Sequence, residues 1–130
     1  MERLKAILSE KLKTKKIERI DKPWGYELLW AKTQNYVAKI LVIHAGQALS
    51  LQFHRQKEET MYLESGTCEI ETGESRDHLT KLSFSPGEVF HIPPGRLHRI
   101  FAKTECRIFE VSTPHLDDVI RLEDNYGRAT

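Results

Sequence analysis

From Gly25 onward the sequence is cut into short segments by turn residues. The segments 26–31, 35–43, 49–53, 59–64, 67–72, 79–84, 88–92, 97–102 and 105–112 are separated by Ala45-Gly46, Ser65-Gly66, Gly73, Ser85-Pro86-Gly87 and Pro93-Pro94-Gly95. Strands of this length at spacings of about ten residues, with Gly and Pro between them, build a β-sandwich or barrel. Alternation sharpens this reading. In 35–43, Val37, Lys39, Leu41 and Ile43 point one way, and Ala38, Ile40 and Val42 point the other. Both faces are apolar, so this strand is expected to be covered on both sides, as in a closed or double-layered sheet.

The first 25 residues read differently. Leu4, Ile7, Leu8 and Leu12 recur at steps of three and four, which predicts a short helix over about residues 2–13. Lys13-Thr14-Lys15-Lys16 then reads as a linker, and Pro23 and Gly25 stop any helix. The expected organisation is an N-terminal helical arm over 1–21 and a single β-domain over 22–130. In the tail, Leu116, Val119, Ile120 and Leu122 form a short apolar edge expected to dock back on the sheet.

Charge and cysteine content narrow the function classes. Lys and Arg number 20 against 19 Asp and Glu, a net charge of +1. Such a balance gives no general attraction for nucleic acid. Residues 1–22 hold eight basic and four acidic side chains, which we read as a solvated helix face. No run approaches the ~18 apolar residues of a membrane span, so no membrane partner is expected. Charges interrupt Leu4, Ala6, Ile7 and Leu8, so no signal peptide is read there. Cys68 and Cys106 are far apart and form no C-x-x-C pair; the expectation is a reduced, cytoplasmic chain with two buried thiols.

The chemistry is concentrated in two stretches. In Leu51-Gln52-Phe53-His54, residues 52 and 54 project to the same face. A tight turn through Arg55–Glu58 then starts a strand at Glu59, which brings a carboxylate level with the pair. Glu58 is its neighbour and rival, but strand parity favours Glu59. In Pro93-Pro94-Gly95-Arg96-Leu97-His98, a rigid corner delivers a second imidazole at the start of a strand. Gln52, His54, Glu59 and His98 therefore converge from two hairpins.

The spacing of Gly46, His54, Glu59 and Gly66, followed by Gly87, Pro93, Gly95 and His98, resembles the two motifs of the cupin superfamily. Gln52 stands where the first motif usually has a His, and Ala102 where the second usually has Asn. The resemblance implies a small double-stranded β-helix, or jelly-roll barrel, holding one divalent metal on Gln52, His54, Glu59 and His98. Gln-x-His is similar to the cupin domain of mannose-6-phosphate isomerase / mannose-1-phosphate guanylyltransferase proteins. So are Lys22-Pro23-Trp24-Gly25-Tyr26-Glu27, Leu49-Ser50-Leu51-Gln52 and the tail from Asp117 to Arg128. This implies a sugar or sugar phosphate as small-molecule partner, zinc as the metal, and a homodimer. Fe, Mn, Co and Ni stay open, because N and O donors discriminate poorly among them.

Three functions compete. The first is an aldose–ketose isomerase of a sugar phosphate, in which a metal polarises the substrate oxygens and a base moves a proton between C1 and C2. Lys39 and Glu110 match positions in the similar domain and are the candidate catalytic residues. The second is a non-haem iron dioxygenase using His54, Glu59 and His98. The third is a metal-dependent binding module without turnover. A phosphate needs cations, and Arg96, Arg99 and Arg121 are available but unplaced by sequence. Trp24 and Trp30 either cover a barrel end or line a sugar site. His44, His78, His91 and His115 fall outside the motifs and are expected to be structural or solvated.

Overall fold

The computed structural model describes residues 2–3 and 13–130. The helix expected over about 2–13 falls on residues 4–12 and so lies outside the described residues. The rest is a two-sheet β-barrel. The strands are β1 (Glu18–Lys22), β2 (Gly25–Lys32), β3 (Val37–Ile43), β4 (Leu51–Phe53), β5 (Glu59–Ser65) and β6 (Cys68–Gly73). They continue as β7 (Leu79–Phe84), β8 (Val89–Ile92), β9 (Leu97–Ala102), β10 (Cys106–Ser112) and β11 (Ile120–Glu123). One sheet runs β1-β2-β3-β10-β5-β8 and the other β11-β4-β9-β6-β7, and every pairing is antiparallel.

Each expected strand is present, with ends shifted by up to two residues. β1 was not expected: residues 18–21 carry charges at both faces, yet they pair with β2 along its whole length. The docking tail edge is present as β11, paired with β4.

The inward rows show how the barrel is graded from end to end. β5 presents Leu63, Met61 and then Glu59; β10 presents Cys106, Ile108 and then Glu110. β3 presents Ile43, Leu41 and then Lys39, while β9 presents Ala102, Ile100 and then His98. The registers align these rows: Ile108 faces Leu41 on one side and Leu63 on the other, and Glu110 faces Lys39 and Met61. One end of the barrel is therefore a packed apolar core built on Ile43, Leu63, Ile70, Ile100 and Ile108. The other end gathers ionisable groups. Cys68 and Cys106 are free thiols buried at the apolar end.

Two of the glycines with positive φ shape turns of the barrel. Gly66 has φ +97°, and a Cβ there would meet the Glu105 carbonyl oxygen at 2.3 Å. Gly95, at φ +85°, ends the Pro-Pro-Gly corner, and its N–H donates to the His54 carbonyl at 2.7 Å. That bond ties the second motif to the first.

On the outer face of the six-stranded sheet Ala38 and Val42 are buried, so β3 is covered on both faces as its apolar alternation implied, while Trp30, Tyr62, Val89, Phe109 and Val111 on the neighbouring strands are exposed.

Candidate metal centre

Gln52 lies on β4 directly opposite His98 on β9. His54 follows β4, and Glu59 opens β5 after a short turn. His54, Glu59 and His98 are all buried, with relative exposures of 3%, 2% and 1%. Glu59 Oε1 is 3.4 Å from His98 Nε2 and 3.7 Å from His54 Nε2. One ligand atom from each of the three lies within 4.8 Å of the others.

The outer nitrogens of both imidazoles are anchored to the backbone. His54 Nδ1 donates to the Asp118 carbonyl, and His98 Nδ1 donates to the Arg96 carbonyl at 3.0 Å. A carbonyl only accepts, so each Nδ1 carries the proton and each Nε2 keeps a lone pair aimed at Glu59. This is the orientation a metal-binding histidine needs. Asp118 does more: its carboxylate accepts the amide N–H groups of Arg55, Gln56 and Lys57 at 3.0, 2.6 and 2.9 Å. These bonds fix the turn between His54 and Glu59. They hold the Asp118 carboxyl down to about 2, Gln56 and Lys57 contributing most.

His54 Nε2 and both Glu59 oxygens are buried without a hydrogen bond. Lys57 Nζ is 2.8 Å from Glu59 Oε2 as an ion pair, but not in hydrogen-bonding alignment. Buried acceptors left without donors are costly, and a cation between them removes the cost. Two donors on a tetrahedral ion at ~2.1 Å are ~3.4 Å apart, close to the separations here. The three residues fit a divalent metal. Burial opposes ionisation of Glu59, while the neighbouring Lys57 ammonium favours it, and the carboxyl lies well below the ordinary range.

Gln52 is placed beside this trio with its amide turned. Its Oε1 accepts from Ser50 Oγ at 2.7 Å, and its Nε2 lies 3.4 Å from His98 Nε2. An amide flip exchanges the two, and the Ser50 hydroxyl can then accept instead of donate. Gln52 thus reaches the site as a fourth oxygen donor only after that flip.

The centre opens into a small cleft that also takes in Lys39, Glu110, Glu27, Lys57 and Arg121. Lys39 Nζ is 3.2 Å from Glu27 Oε1. Lys57, which sequence reasoning missed as part of a turn, is buried between Glu59 and Glu110, 3.3 Å from Glu110 Oε2. Burial lowers its pKa, but Glu110 and Glu59 more than compensate, so it stays charged. Burial, and then the negative charge of Glu59, push the Glu110 carboxyl up to about 7 against the pull of Lys57 and Lys39. Asp118 was also missed as a site residue, although it lies in the tail from Asp117 to Arg128 that carries part of the resemblance.

The other candidates separate cleanly. Glu58 is exposed and pairs with His91 on the surface. His44 pairs with Glu105, His78 with Ser75, and His115 with Thr113. Trp24 is buried against the cleft, whereas Trp30 is on the outer face of the sheet. No helix among the described residues is long and apolar enough to cross a membrane.

A jelly-roll of two antiparallel sheets with a His-Glu-His cluster in one end defines a cupin domain. Residues 9–124 match the family described as "Mannose-6-phosphate isomerase C-terminal", and the chain belongs to it. It is 31% identical over 115 residues to the xanthan biosynthesis protein XanB of Xanthomonas campestris pv. campestris, covering 85% of this chain and 24% of XanB. It is also 31% identical over 114 residues to the alginate biosynthesis protein AlgA of Pseudomonas fluorescens, covering 84% and 23%. The chain thus spans about a quarter of the length of these relatives. Among solved structures, it is similar to the capsular polysaccharide assembling protein CapF from Staphylococcus aureus, with TM-score 0.74 at 19% identity over 88% of this chain and 34% of CapF. Oxalate decarboxylase of Bacillus subtilis, described with Mn(II) centres, gives TM-score 0.69 at 17% identity over 81% and 30%. At these identities the two structures support the fold.

Proposed function

We propose that this cupin interconverts the aldose and ketose forms of a sugar phosphate with the help of one divalent metal, zinc first among the candidates. The observation that carries the reading is that the buried His54-Glu59-His98 cluster shares its cleft with Glu110, whose carboxyl is poised near neutrality. The family description, "Mannose-6-phosphate isomerase C-terminal", supports the same substrate class.

His54, Glu59 and His98 hold the metal, with Gln52 joining on the flip described. When bound, a divalent ion supplies polarisation of a substrate carbonyl or hydroxyl oxygen. Glu110 acts as the base: one carboxylate oxygen takes the proton from C2 of the aldose as O1 gains a proton, and returns it to C1 as the C2 hydroxyl gives up its own, giving the ketose. Burial favours the protonated carboxyl, so a proton taken from carbon can be held there and returned. Lys39, held by Glu27, carries a positive charge and suits donation of a proton to a substrate oxygen better than abstraction from carbon. Lys57 balances the charge of Glu59 and Glu110.

The test is conversion of mannose 6-phosphate to fructose 6-phosphate by protein of known metal content. Activity lost on chelation and restored by zinc is expected. Metal-loaded protein without turnover overturns the isomerase reading and leaves a binding module. A second reading has one observation in its favour: with Gln52 Oε1 on Ser50, the ligand set is two histidines and one carboxylate, as in non-haem iron oxygenases. Iron in the purified protein, with substrate-dependent oxygen uptake, replaces the isomerase by that reading.

A further inference from the structure

The cleft carries more positive side chains than the metal cluster and base require. Lys22, Lys39, Lys57, Arg121 and Arg128 line it, against Glu27, Glu59 and Glu110. Four of these cations have carboxylate partners. Lys57 is shared by Glu59 and Glu110; Lys39 and, more loosely at 3.9 Å, Lys22 meet Glu27. Arg128 makes paired bonds to Asp124 at 2.9 and 3.0 Å. Arg121 alone, among the described residues lining the cleft, has no carboxylate within 4.0 Å. Its Nε is buried and makes no hydrogen bond. A buried guanidinium nitrogen without an acceptor is costly unless an anion arrives to take it.

We infer that Arg121 is the anchor for the phosphate of a phosphomonoester substrate. The inference rests on the sugar-phosphate reading and names the residue that makes the distinction between phosphate and free sugar. A planar guanidinium presents parallel N–H donors that match two phosphate oxygens, a geometry an ammonium cannot reproduce.

The backbone places the side chain. Arg121 pairs with Gln52 across β11 and β4, so it stands level with the metal-bearing strand. Thr130 clamps it: the Arg121 N–H donates to Thr130 Oγ1 at 2.9 Å, and its carbonyl accepts from the Thr130 N–H at 2.8 Å. Arg121 belongs to the five-stranded sheet, whereas Lys39 and Glu110 belong to the six-stranded one. A substrate bridging the cleft can thus be held by its phosphate on one wall while its reacting carbons meet the base on the other. The remaining arginines named from the sequence are engaged elsewhere. Arg96 Nε donates to Thr72 Oγ1 at 2.9 Å, and Arg99 Nε to the Leu49 carbonyl at 3.1 Å. Neither lines the metal cleft.

The experiment compares wild type, Arg121→Gln and Arg121→Lys, each with measured zinc content, by titration with mannose 6-phosphate and with mannose. Wild type is expected to prefer the phosphate ester by about tenfold or more, a difference of ~1.4 kcal/mol. Arg121→Gln should lose that preference at unchanged zinc content, and Arg121→Lys should keep part of it. An Arg121→Gln protein that keeps both zinc and the full preference overturns the anchor. So does a zinc-loaded wild type that does not distinguish the two sugars. An intact preference lost in Arg121→Gln, in a protein that never turns over, removes the isomerase and leaves the anchor standing.

Discussion

Asp118 grips His54 from two directions at once. Its carbonyl takes the imidazole proton, while its carboxylate takes the amide protons of the three residues that follow His54. The first contact aims a ligand nitrogen, and the second sets the turn that delivers Glu59. Asp118→Asn keeps the carbonyl and weakens the turn clamp. The folded-state pKa is depressed to about 2 from an ordinary 3.8, so the carboxylate adds stability above the ordinary value that is lost as pH falls towards the folded one. Chemical denaturation should show Asp118→Asn less stable than wild type at neutral pH, the gap closing through that window. Metal titration should show weaker binding as well. Equal affinity and equal stability at pH 7 would refute the clamp.

Replacing His54 by Ala should abolish stoichiometric metal, read by elemental analysis. Wild type with free metal at ~100 times its Kd should gain about 2.7 kcal/mol in stability, and the variant should gain none. Gln52→His should retain metal, because the remaining ligands are intact and an imidazole replaces an amide. If the His54 variant binds as tightly as wild type, the ion is held elsewhere.

Glu110 carries a pH signature. Its folded pKa near 7 lies above the ordinary 4.5, so the native state keeps this proton where the unfolded chain has released it. Stability of the metal-free protein should therefore fall as pH rises from 4.5 to 7, by on the order of 3 kcal/mol from this group. Glu110→Gln removes that slope, so its stability relative to wild type should improve across the same window in chelator-treated samples. The same substitution should cut isomerase turnover by ~10²–10⁴. A variant that keeps the slope and the turnover assigns both to other groups.

Lys57→Met keeps the side-chain volume and removes the charge. Glu59 and Glu110 then face one another without the cation between them. Loss of one partner from a buried ion pair costs ~3–5 kcal/mol, and urea unfolding of metal-free protein should show a loss in that range. A change below 1 kcal/mol would mean that water already screens these carboxylates.

The exposed apolar residues Trp30, Tyr62, Val89, Phe109 and Val111 on the outer face of the six-stranded sheet are proposed to receive a second copy of the chain. The face measures about 24 by 20 Å from strand spacing and rise, roughly 480 Å² per partner, which is at the small end of specific interfaces. Its flank carries both signs, Arg107 beside Glu64 at 3.8 Å, so a two-fold copy meets its own complement. Analytical ultracentrifugation should show a dimer that Val111→Asp converts to a monomer. A monomeric wild type at micromolar concentration overturns the assignment.

The β-segments after Gly25 were legible because turn residues bound them and inward side chains alternate. The clustering of His54, Glu59 and His98 was legible because His54 and His98 each lie at fixed distances from glycine and proline corners. β1 was not legible: Glu18, Arg19, Asp21 and Lys22 carry no alternating apolar signal, and the strand is held by its backbone partner in β2. Lys57 and Asp118 were missed for a related reason. Each looks like a solvated loop residue, and its role comes from contacts 53 and 61 or more positions away in the chain. Arg121 could not be told from Arg96 or Arg99 until the fold showed which one lacks an acceptor.

The apolar-to-ionisable gradient along the inward rows has an evolutionary consequence. Hydrophobic packing sits low in each strand and reactivity sits high in the same strand, so the two properties are written in different letters. Changing Lys39 or Glu110 rewrites the upper storey while the apolar packing beneath it stays as it was. A lineage can thereby try new substrates on this scaffold without first having to rebuild what keeps it folded.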